Sequence, residues 1–144
     1  EDELVRLDIP RGDVLWALIY VWLSDRPDLQ RHLACDYAKR ALMRKRKDGR
    51  EPDPRFWRAL EVSRRYANGE ATLAEFKAAR DAASESPGYT ARGAAMATAS
   101  KDAACDAAFD AARAVVDTAR VASEAEGLEW QINLALEYVK GENR

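Results

Sequence analysis

Hydrophobic positions recur along most of this chain at spacings of three and four, which is the period of a helix with one buried face. Leu29, His32, Leu33, Cys35, Tyr37, Ala38, Ala41 and Leu42 make one such stripe, and Phe56, Trp57, Leu60, Val62 and Tyr66 are the apolar positions of a further helical segment. Period-two alternation of Val, Ile, Thr and aromatic residues does not occur, and Asn68-Gly69 is flanked by helical patterns rather than by strands. The pattern predicts an all-α fold: a compact bundle of five or six helices forming a single domain over residues 1–144, with a long alanine-rich helix near the C-terminus.

Helix starts and stops divide the pattern further. The first helix is expected over residues 11–23, with Pro10 in its first turn and Asp13 near its positive end. Its apolar run, Val14 to Leu23, is continuous and predicts burial on most sides. Asp25 followed by Pro27 reads as a cap and a proline start for a helix over 28–45. Asp53-Pro54 repeats that signal for a helix over 54–67, closed by Asn68-Gly69. Thr72-Leu73-Ala74-Glu75 fits a capping box, in which hydroxyl and carboxylate satisfy each other's free backbone donors, and opens a helix over 73–84. The remaining helices are expected over 91–126 and 128–140, separated at Gly127. At about 1.5 Å per residue the fifth would span about 50 Å, longer than the ~40 Å of a compact domain of this size. It therefore protrudes, breaks (Ser100 being the best internal cap) or packs in an oligomer.

Composition sharpens this picture. Alanine occurs 28 times in the 144 residues, 15 of them between Ala91 and Ala125, and alanine is the strongest helix former. Paired alanines at four-residue steps make a low face for close helix approach, inside the bundle or in a homo-oligomer. The longest apolar run has ten residues, against about 20 for a membrane span, so no membrane partner is expected. The acidic start Glu1-Asp2-Glu3 lacks the pattern of a signal peptide, and the two cysteines lie 70 positions apart, so a reducing cytoplasm is the expected location. Cys35 and Cys105 read as small buried hydrophobes or, alternatively, as a disulfide between helices.

Charge offers candidate surfaces rather than candidate chemistry. Asp102, Asp106, Asp110 and Asp117 fall within about 80° of a helical wheel and form an acidic stripe, partly neutralised by Arg113 and Arg120. It reads as a solvated face with short-range ion pairs or as a docking surface for a basic partner. Lys39, Arg40, Arg44, Lys45, Arg46, Lys47 and Arg50 form the one basic cluster. Around the wheel these charges surround the helix, and no neighbouring aromatic interleaves to stack a base. The cluster therefore reads first as cations at a helix C-terminus, favoured by the dipole, and second as a nucleic-acid contact in the 39–50 segment. Trp57 beside Phe56 cannot share its direction, so Arg55, Trp57 and Arg58 are the second candidate partner edge. The single histidine, His32, lies near an inner stripe, and no nucleophile, phosphate loop, metal-ligand set or cofactor motif accompanies it. An enzyme is not expected.

The stretch ACDYAKRAL, then PDPRFWRALEVSRRYANGEATLAEFKAARDAA, then an alanine-rich tail ending in EWQINLALEYV, resembles an immunity-protein-five-like helical family of bacteria and phages. The resemblance covers residues 34–139 and rests on Asp53-Pro54-Arg55, the Arg-rich helix from Arg58 to Ala67, and Gly69-Glu70. It implies an all-α protein without catalytic residues that binds another protein, a toxin or a host-defence component, and neutralises it. A phage-borne member would act against host defence, for example as an anti-CRISPR inhibitor.

Overall fold

The computed structural model describes residues 8–47, 49–85 and 124–141, together with Glu3 and Arg6. Five helical elements make up the described part, and no strand occurs among the described residues. They are α1 (Arg11–Ala17, continued by a π-helical segment over Leu18–Trp22), α2 (Pro27–Lys47), α3 (Pro54–Ala67), α4 (Leu73–Ser84) and α5 (Glu124–Lys140). The expected helix over 91–126 lies outside the described residues except for its last three positions, which belong to α5.

α2 is the organising element. Leu33, Ala34, Cys35, Tyr37, Ala38, Ala41 and Leu42 are buried along it, and α3 and α5 both pack on it. α1 and its π segment pack on α5, while α4 packs on α3. One core joins these elements, with Val14, Leu18, Phe56, Leu60, Ile132 and Leu136 among its members. A smaller cluster of Val62, Phe76 and Ala79 fixes α4, with Tyr66 stacked on Phe76 at 4.6 Å. Arg31 of α2 lies 5.2 Å above the Phe76 ring and ties α4 to the bundle.

The start and stop signals act as their chemistry requires. Asp53 accepts the Arg55 backbone N–H at 2.9 Å, with Pro54 in the first turn of α3. Thr72 and Glu75 form the complete capping box, at 3.1 and 2.9 Å. Gly69, at φ +73°, ends α3: its N–H reaches the Tyr66 carbonyl, and Glu70 N–H reaches that of Arg65 at 2.7 Å.

Four expectations are corrected. The first helix is not a continuous α-helix: Leu23 N–H closes a five-residue step onto the Leu18 carbonyl at 3.1 Å. The Ile19 carbonyl instead accepts the amide of buried Gln30 at 2.9 Å, which holds the π segment against α2. Nor is this helix buried on most sides: Trp16, Val21 and Trp22 are exposed, because an element with a single side on the core leaves the outward residues of a ten-residue apolar run in solvent. The residue before α2 is Arg26 rather than Asp25, since Pro27 takes the first helical position and Arg26 instead pairs with Asp28. Gly127 does not separate two helices: α5 runs through it, and a helical glycine costs only about 1 kcal/mol relative to alanine.

Candidate binding groove

The polar side of α2 carries the most conspicuous surface among the described residues. Asp36, Lys39, Arg40, Met43, Arg44 and Lys47 follow one another at steps of three, one, three, one and three, so they share one face of the helix. That face meets Trp130 and Leu134, one turn apart on α5, and with Arg46 they line an open groove of about 860 Å³. The basic cluster thus lines one face of its helix in large part rather than surrounding it. The aromatic that sequence adjacency did not supply comes from a helix some 90 residues further on.

The floor of the groove is apolar and its α2 rim is cationic. Met43 is 49% exposed, an unusual state for a large apolar side chain beside a core. Trp130 stands edge-on to buried Tyr37, with centroids 5.7 Å apart, and the Arg40 guanidinium covers its ring at 4.1 Å. Arg46 is paired with Glu51 at 2.9 Å and lies over the Trp57 ring at 4.6 Å. Lys39, Arg40, Arg44 and Lys47 have no acidic partner among the described residues. Partial burial, then the neighbouring positive charge of Arg44, lowers the pKa of Arg40. Arg44 Nη1 is shielded from solvent and has no hydrogen-bond acceptor.

Among the described residues Asp36 is the only acid lining the groove, and it is already engaged. It accepts hydrogen bonds from Arg64 at 2.5 Å and from the Tyr138 hydroxyl at 2.6 Å. It also borders a second cleft of about 730 Å³, together with Lys39, His32, Asn68, Arg64 and Tyr138. There His32 Nε2 lies 2.8 Å from the Asn68 side-chain oxygen, to which it donates. Burial, then the bond to Asp36, holds the Tyr138 hydroxyl well above its ordinary pKa, so it keeps its proton near neutral pH. Cys35 is a free, buried thiol whose pKa burial pushes up to about 12, which removes it as a nucleophile near neutral pH. Among the described residues no group of three or more His, Cys, Asp or Glu side chains could hold a metal ion. No helix of the described residues is long and apolar enough to cross a membrane.

Of the residues marked in the sequence, Asp102, Asp106, Asp110, Asp117 and Cys105 lie outside the described residues. Arg55, Trp57 and Arg58 lie on α3 in three different settings. Arg55 folds back onto Asp53 at 2.9 and 3.0 Å, Trp57 is half-buried beneath Arg46, and exposed Arg58 faces Glu61 at 3.5 Å. Phe56 takes the core position beside them. Met43, Trp130 and Leu134 were missed; the signal that finds the α2 half of the groove is the spacing from Asp36 to Lys47. No family model, curated protein or solved structure matches this chain, so the immunity-family resemblance rests on the residues quoted for it alone.

Proposed function

We propose that this protein is a non-enzymatic inhibitor that binds another protein and neutralises it by covering one of its surfaces, with the α2/α5 groove as its contact face. The observation that carries this reading is the set of four cations, Lys39, Arg40, Arg44 and Lys47, without an acidic partner among the described residues and above an apolar floor. Neighbouring like charges with a partly desolvated guanidinium destabilise the free protein, and a partner's carboxylates would relieve that cost. The partner is accordingly an acidic protein, a toxin or a host-defence component in the immunity-like reading. The bundle needs no cofactor for such a role.

A nucleic-acid contact through the basic 39–50 segment is the second reading, favoured by the density of cations there. Against it, Trp130 already stacks on Arg40, and the apolar floor gains nothing from phosphates. An oligomer built on the alanine-rich segment concerns residues outside those described.

Affinity purification from the native host, followed by reconstitution with the purified partner, tests the proposal. Arg40→Glu/Arg44→Glu weakens the reconstituted complex at least about tenfold, and raising NaCl from about 50 to about 300 mM weakens the wild-type complex. The neutral variant Arg40→Gln/Arg44→Gln keeps or raises the Tm of the free protein while losing affinity. An affinity indifferent to both variants, with folding retained by circular dichroism, contradicts the groove as the contact face.

A further inference from the structure

Resting on the reading of the groove as a binding face, we infer that the element it receives is an acidic amphipathic helix, seated with its apolar stripe on Met43, Trp130 and Leu134 and its carboxylates on Arg40 and Arg44. The dimensions suit such a guest. The α2 face from Asp36 to Lys47 extends about 16 Å, close to three helical turns, and the trough between two helices is a shape into which a third helix packs. The floor suits it too: an exposed, flexible methionine adapts to an incoming apolar side chain.

The charge pattern makes the guest asymmetric. Among the described residues, every lining cation without an acidic partner belongs to α2, while Trp130 and Leu134 are the lining residues of α5. The guest therefore carries its carboxylates along one flank of its apolar stripe, not on both. Arg44 lines the α2 rim, and a carboxylate is the acceptor whose geometry matches a guanidinium edge. Arg40, its guanidinium 4.1 Å from the centre of the Trp130 ring, lines that rim as well. A phosphate backbone would use the cations and leave the floor unfilled, which is why the helix is favoured over a nucleic acid.

Fluorescence anisotropy with the full chain and three labelled probes tests this. The first probe is a peptide of about 16 residues with leucines at helical spacing and glutamates along one flank. The second is a scrambled peptide of identical composition, and the third a single-stranded oligothymidylate. The amphipathic peptide binds at least about tenfold more tightly than either other probe, and both Met43→Glu and Arg44→Gln reduce its affinity about tenfold with unchanged circular dichroism. Met43 is half exposed, so its replacement leaves the fold intact. If the scrambled peptide or the oligonucleotide binds as tightly through the same arginines, the helix inference falls while the groove remains an anion-binding face. If no probe binds, or binding ignores Arg40→Gln/Arg44→Gln, the groove reading falls with it.

Discussion

At the scale of single residues, this molecule turns on polar groups placed where apolar ones would ordinarily sit. Gln30 is 4% exposed and donates to the Ile19 carbonyl, a group that the π segment leaves without its usual helical partner. Gln30→Leu keeps the volume and removes the donor, leaving a buried carbonyl unsatisfied, and lowers stability by about 1–3 kcal/mol. Urea denaturation checks this, and an unchanged midpoint would mean that water or a shifted backbone replaces the amide. Tyr37 shows the same economy, with its buried hydroxyl donating to the Gln131 carbonyl at 2.7 Å and fastening α2 to α5 under the groove floor. Neither bond was legible in the sequence, because each joins residues whose proximity depends on how whole helices pack. The pairing of Arg40 with Trp130 belongs to the same class: composition names both residues, and only the fold makes them neighbours.

At the scale of elements, local chemistry was readable and long-range chemistry was not. The boundaries of α3 and α4 follow from Asp53-Pro54, Gly69 and the Thr72–Glu75 box, whose hydrogen bonds lie within a few residues of one another. Their signals are complete in a short window, so tertiary context had little to override. α1 shows the contrary case. Its apolar run gives a helix but does not reveal that the backbone widens after Ala17, because the partner that stabilises the widening stands on α2. α5 shows another: Gly127 looks like a terminator, yet the helix continues through it. For α2 the spacing from Asp36 to Lys47 was available, and counting every cation of the cluster together hid it. Lys45 departs from the face shared by the groove-lining cations, and its inclusion made the charge look evenly spread.

For the whole molecule, charge sets both stability and recognition. Hydrogen bonds from Arg26, Arg46 and Arg11 hold the carboxyls of Asp28, Glu51 and Glu129 below the usual carboxylate range. Stability from these depressed groups is complete above the unfolded values near ~4 and is lost as pH falls through the folded ones. Burial raises the pKa of Cys35, Tyr37 and Tyr138. Their contribution is complete below the unfolded values of about 9–10 and is lost as pH rises towards the folded ones. Thermal melts should therefore show a plateau between about pH 5 and about pH 8 with Tm falling on both sides, and a Tm that climbs above pH 9 would refute the buried neutral thiol and phenols. Salt screens charges at an open surface, so binding at the groove weakens as ionic strength rises.

The most direct test of the groove is the indole N–H resonance of Trp130 in a ¹⁵N-labelled sample, assigned by Trp130→Phe and followed while the acidic amphipathic peptide is added. Trp130 lies in the groove floor, whereas Trp16 and Trp22 stand on the first helical element outside it. The account predicts that the Trp130 signal moves progressively to saturation while those of Trp16 and Trp22 stay in place. A stationary Trp130 signal alongside a shifting Trp16 or Trp22 would place binding elsewhere and contradict it.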